Sequence, residues 1–175
     1  TKRDPPSGSY TITWIDCTRP ELEVSPGDTN PCEGVDITVT AIATNGQSGI
    51  KSVTIYVDGI TYNMTNVSGD LYQYTISGTG KVSGDSVSYY VVAEDNSGNT
   101  KRDPESGTYT ITWIDCTAPS LDVSPGDVEP CEGEDVMVSA TATNGGSGIK
   151  FVTIYVDSVA YNMTNVSGDL YQYTI

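Results

Sequence analysis

The chain has 175 residues, a formal net charge of −15 and no His. Thr, Ser, Gly, Val and Tyr dominate it, and no stretch spaces apolar residues helically over three turns, so the expected class is all-β. The acidity repels phosphate backbones and argues against nucleic acid as a partner; the missing His removes the commonest general base and the usual Ser or Cys triads; and no run approaches the ~20 apolar residues of a membrane-spanning helix.

Turn residues cut the chain into strand-sized pieces. Glu21 to Ser25 is a first strand, followed by Pro26-Gly27-Asp28. Asp36 to Thr44 is a second, in which Ile37, Val39, Ala41 and Ala43 alternate with mostly polar residues and mark one buried face. Lys51 to Asp58 follows, with Val53, Ile55 and Val57 inward, and Asp58-Gly59 is a tight hairpin signal. Ile60 to Met64 and Leu71 to Ile76 come next. Ser86 to Glu94 carries Val87, Tyr89, Val91 and Ala93 on one face. Gly107 to Asp115 closes the series, with Tyr109, Ile111 and Trp113 inward. Seven antiparallel strands at this spacing suit an immunoglobulin-like or fibronectin-III-like sandwich.

An internal repeat sets the domain limits. Thr1-Lys2-Arg3-Asp4-Pro5 recurs as Thr100-Lys101-Arg102-Asp103-Pro104, and Cys17 and Cys32 recur as Cys116 and Cys131. At this offset of 99, 59 of the 76 comparable positions are identical. The period is the size of one sandwich domain. Residues 17–115 are therefore expected to form a complete domain. Residues 1–16 repeat its last strand and belong to a preceding domain or act as a donor strand. Residues 116–175 open a further domain and lack its last two strands. Two readings stay open: the sequence is a window of a longer array, or chains complete one another by strand addition and build a filament, although residues 1–16 would supply only one of the two strands.

The segment Ser48-Gly49-Ile50-Lys51-Ser52-Val53-Thr54-Ile55-Tyr56-Val57-Asp58-Gly59 resembles the third strand of bacterial and archaeal immunoglobulin-like surface repeats. Tyr89 to Asn99 is similar to their sixth strand and turn, and Asp16-Cys17-Thr18-Arg19-Pro20 and Asp115-Cys116-Thr117-Ala118-Pro119 to their inter-domain joint. The resemblance implies an extracellular, cell-surface setting and copies of itself or neighbouring repeats as partners. Such repeats usually lack cysteines, so the pair in each repeat is a departure. Read with that setting, an even count per domain implies internal disulfides, Cys17–Cys32 and Cys116–Cys131.

Asn63-Met64-Thr65 and Asn66-Val67-Ser68 are tandem glycosylation sequons, repeated at Asn162 and Asn165. Glu94, Asp95, Asn96 and Asn99 cluster in one turn, and with Asp115 at the joint they offer hard oxygens of the kind calcium takes; capping of turns is the competing use of the same residues. No other cofactor is implied. The expected function is structural and non-enzymatic: a filament, sheath or stalk. An adhesin array binding glycans or other cells, or the spacer of an extracellular enzyme, are the alternatives.

Overall fold

The computed structural model describes residues 10–175, among which there is no helix. Domain 17–115 is a two-layer sandwich. One layer holds β1 (Glu21–Ser25), β2 (Ile37–Thr44), β6 (Leu71–Ile76) and β5 (Thr65–Ser68), in the order β1-β2-β6-β5. The other has the order β4-β3-β7-β8, from β3 (Ile50–Val57), β4 (Ile60–Asn63), β7 (Ser86–Asp95) and β8 (Thr100–Asp103), with β9 (Tyr109–Thr112) also paired to β7. All the pairings between these strands are antiparallel. The domain is thus an all-β sandwich, as expected.

The alternation read from sequence lines the core. Ile37, Val39, Ala41 and Ala43 face Val53, Ile55, Val87, Tyr89, Val91, Ala93, Ile111 and Trp113, all buried. The hairpin at Asp58-Gly59 has φ of 48° and 80°, the left-handed pair that a two-residue turn between right-twisted strands requires. Asp157-Ser158 repeats it at 49° and 69°, with Ser where Gly stood.

Nine strands form in this domain where seven were expected. The fourth is followed by a separate β5: Met64 is buried between β4 and β5, so the chain crosses from the edge of one layer to the edge of the other. The other added strand is β8, which precedes the expected last strand, Gly107 to Asp115, seen here as β9. β8 lies against Val91–Glu94 and β9 against Ser86–Tyr89, on the same side of β7, interrupted by Pro104, which has no N–H for the ladder. Asp103 closes this side of the sandwich: its carboxylate accepts Val24 N–H at 2.9 Å and Tyr109 O–H at 3.1 Å, joining β8 to β1 of the opposite layer.

The second repeat builds β10 (Ser120–Ser124), β11 (Met137–Thr143), β15 (Leu170–Thr174) and β14 (Thr164–Ser167) into a layer of order β10-β11-β15-β14, and pairs β12 (Thr153–Val156) with β13 (Val159–Asn162). These six match β1 to β6. Its core is smaller: Val138, Ala140, Ala142, Val152, Met163 and Tyr171. Side chains that β7 to β9 help cover in the first repeat are open here. Val24 is 8% exposed and Val123 51%; Ile76 is 5% and Ile175 50%. Of the expected strand in residues 1–16, the first nine residues lie outside the described part, and 10–16 form no strand.

The hydroxyl of Tyr89 is buried without a hydrogen-bond partner, and burial pushes its pKa up. An unpartnered buried hydroxyl costs ~1–3 kcal/mol. Tyr89→Phe is therefore expected to leave stability unchanged or raise it by about 1 kcal/mol, measured by chemical denaturation; a clear loss of stability would show that the hydroxyl has a partner.

Candidate functional site at the joint between repeats

The residues that join the repeats are held from both sides. Asp115 N–H donates to Ser83 Oγ of the first domain at 3.1 Å, while its carboxylate Oδ2 accepts Ser147 N–H and Oγ–H of the second, both at 2.8 Å. The other oxygen, Oδ1, accepts Thr117 N–H at 2.8 Å. One residue later, Cys116 is bonded to Cys32 of the first domain, and two residues later the Thr117 carbonyl accepts Asn144 Nδ2–H of the second at 3.1 Å. Three consecutive residues thus bind the two domains in turn.

The disulfide corrects the expected pairing. Cys32 pairs with Cys116 at a sequence separation of 84, and Cys17 and Cys131 are free and exposed. The cause is a parallel crossing that local spacing does not reveal. The segment after β1 runs beside the end of the domain: Thr112 N–H donates to Thr29 O, Ile114 N–H to Pro31 O, and Glu33 N–H to Ile114 O, at 2.8–3.0 Å. That places Cys32 and Cys116 with Cα atoms 5.4 Å apart. Trp113 anchors the crossing from inside, fully buried, with Nε1–H donating to Val35 O at 2.9 Å and Lys81 over its ring. Gly78 lies so close that a Cβ there would stand 2.2 Å from the same Val35 oxygen.

The Asp16 end has its own network. Asp16 Oδ1 accepts Thr18 N–H and Oδ2 accepts Ser48 Oγ–H, both at 2.8 Å; its carbonyl accepts Asn99 Nδ2–H at 3.1 Å. Beneath lies Asp95, fully buried. Its Oδ1 accepts the N–H groups of Ser97 and Asn99, and its Oδ2 accepts the amides of Asn45 and Asn99 at 2.9 Å. Asn45 also reaches the Thr18 carbonyl.

The five residues expected to share a cation are not brought together. Asp115 lies between Ser83 and Ser147, neither in the 94–99 turn, and Asp16 is the joint aspartate that meets that turn. Glu94 pairs with Lys51 at 2.8 Å, and Asn96 donates to the Ser48 carbonyl. Among the described residues no group of three or more His, Cys, Asp or Glu is placed to hold a metal. The acidic oxygens serve as hydrogen-bond acceptors that tie loops together.

The sequon residues Asn63, Asn66, Asn162 and Asn165 are all exposed, and Asn66 and Asn165 each donate to a turn carbonyl, of Gly69 and Gly168, at 2.7 Å. β4 and β5 are edge strands of opposite layers, so each pair of sequons sits on one flank of the sandwich. Tyr56 and Tyr90 stack with centroids 4.5 Å apart, and Arg102 lies 4.0 Å over Tyr90, so this aromatic pair is capped by protein.

Ser48, Asn45 and their counterparts Ser147 and Asn144 are the joint residues that sequence reasoning passed over. The signal was the Asn-Gly-x-Ser run kept in both repeats.

No protein-family model and no curated protein sequence matches this chain. Among solved structures it is similar to the fibronectin(III)-like modules of Clostridium thermocellum CbhA, at 17% identity and a TM-score of 0.43, covering 89% of this chain and 78% of that one. It is also similar to a structure described as concerned with host cell surface retention of a 1.5-MDa bacterial ice-binding adhesin, at 16% identity and a TM-score of 0.39, covering 89% of this chain and 53% of that one. The fold assignment rests on the strand order given above.

Hydrogen bonds hold the joint aspartates acidic. Those from Thr117 and then Ser147 bring Asp115 down to about 2, and those from Thr18 and Ser48 lower Asp16. For Asp95 burial acts upward, but the bonds from Asn99 and Ser97 outweigh it and the net shift is down. Folded pKa values below the unfolded ones mean that the unfolded chain binds more protons as pH falls. The stabilisation is complete above about pH 4 and is lost as pH drops toward about 2. Melting temperature is expected to hold between about pH 7 and 5 and to fall below 4, with a shallower fall in Asp115→Asn.

Closing a loop of 84 residues restricts the unfolded chain by about 4.5 kcal/mol, against about 3 for the short loop expected from spacing. Reduction should lower the stability of domain 17–115 by roughly that larger amount in guanidinium titrations. A loss near zero would show that the bond does not form.

Proposed function

We propose that the chain is a non-catalytic structural module of an extracellular, cell-surface array, in which 99-residue sandwiches are stacked end to end as a stalk, sheath or filament. The observation that carries this reading is the joint: Asp115 is bonded to the domains on both sides, Cys116 to the first and Thr117 to the second. An oxidised Cys32–Cys116 bond suits an oxidising compartment. Near-identity of the two repeats fits a spacer, whose length matters more than the variety of its surfaces. Glycans on Asn63 and Asn66, or on Asn162 and Asn165, would cover the edge strands β4 and β5 or β13 and β14, and so block edge-to-edge pairing.

Electron microscopy of native surface material tests the proposal. Ordered fibres with an axial rise of about 40–50 Å, roughly one sandwich length, are the expected result. Soluble monomers that bind a glycan or a cell surface would replace it with the adhesin reading.

A further inference from the structure

Basic residues are scarce in this chain, eight Lys and Arg against 23 Asp and Glu. Three of the eight line one hollow of about 360 Å³ on domain 17–115. Arg19 enters it from the segment before β1, and Lys101 and Arg102 from β8; Thr100 stands beside them, and Glu105 is the one carboxylate of the lining. The three cations are held differently. Arg102 is fixed: its guanidinium lies over the Tyr90 ring and donates to the carbonyls of Pro104 and Gly107. Lys101 is paired with Glu105, and the bond from Lys101 holds that carboxyl below its ordinary pKa. The Glu105 side chain is 81% exposed against 30% for Lys101, so the acid stands in water and is easily displaced. Arg19 is exposed and has no hydrogen-bond partner among the described residues. The fold does not require it, since Ala118 takes its place in the second repeat. Nor does a domain in front close the hollow from that side: Ala118 is exposed although the first domain precedes it.

We propose that this hollow binds the carboxylates of an acidic polysaccharide, a uronate-rich polymer of the cell surface. A guanidinium fork takes a planar carboxylate through two parallel hydrogen bonds, and Arg19 has its donors open for that use. Lys101 adds a donor by leaving Glu105 for the ligand. Arg102, already stacked and bonded, supplies fixed positive charge at the wall. The volume lies at the lower end for small-ligand pockets, which suits a single charged sugar unit. The rest of the surface is strongly acidic and repels the same polymer, so contact is confined to this hollow. A polymer is favoured over a lone acid because the Lys-Arg pair recurs at the period of 99, as Lys2-Arg3. Stacked repeats would meet a polyanion at intervals, and multivalency would raise a weak single-site affinity. The proposal gives the extracellular array a ligand and rests on that setting.

The test is isothermal titration of the full chain with oligogalacturonate and with the same oligomer after methyl esterification of its carboxyls. The expected result is binding of the acid form and none of the ester. Binding should weaken as salt shortens the screening length from about 10 Å at 0.1 M to about 3 Å at 1 M. Arg19→Ala and Lys101→Gln should each weaken it about tenfold. Lys51→Gln removes the same charge outside the hollow and should leave it unchanged. Glu105→Gln should tighten binding several-fold, because Lys101 then has no internal acid to leave. Thermal melting of each variant checks that domain 17–115 stays folded. No binding, equal binding of the ester, or equal losses in Arg19→Ala and Lys51→Gln overturn the proposal. Fibres in native material without binding here would remove the site and leave the stalk reading; binding by chains that form no fibres would keep the site and replace that reading.

Discussion

The structure depends on one crossing: the segment around Pro31-Cys32-Glu33 lies parallel against the end of the domain at Thr112 to Cys116. It joins the first and last parts of a domain whose strands otherwise pair antiparallel. Backbone hydrogen bonds set its register, Trp113 fills the space beneath it, and the disulfide makes it covalent. The sandwich core alone would hold the two layers together. The crossing decides where the domain stops, and therefore which residue is the first to belong to its neighbour.

Much of the fold was legible because strand periodicity is a local property. Every inward position read in the second and sixth expected strands is buried, and Asp58-Gly59 makes its hairpin. What escaped were features whose cause is distant. Thr100-Lys101-Arg102-Asp103 was read only as part of the repeat and not as a strand, yet it pairs as β8, where Arg102 lies over Tyr90 and Asp103 reaches across to Val24. Cysteine pairing escaped for a different reason. With two Cys per period, joining each to its near neighbour or across the domain gives the same count, and only the parallel crossing chooses between them.

The acidic residues carry a similar lesson. A cluster such as Glu94, Asp95, Asn96 and Asn99 has the composition of a cation site. In the folded chain Glu94 pairs with Lys51, Asn96 and Asn99 donate to the oxygens of other residues, and burial of Asp95 is balanced by four donors. The joint aspartates Asp16 and Asp115 use the same device on a larger scale, with Ser48 and Ser147 as counterparts. Charge in this chain is spent on geometry at the ends of the domains, while the flanks carry the edge strands and their exposed asparagines.

The Cys32–Cys116 bond also reroutes mechanical tension. A pull arriving at Cys116 from the next repeat passes through sulfur to Cys32 and bypasses the 84-residue stretch between them. Only the 15 steps from Cys17 to Cys32 then lie in the force path of the domain. Fully extended they measure about 50 Å, close to the length of the folded sandwich. An array linked in this way would be nearly inextensible: its core strands could unfold under other stresses, but a steady pull along the axis would not be what unravels them.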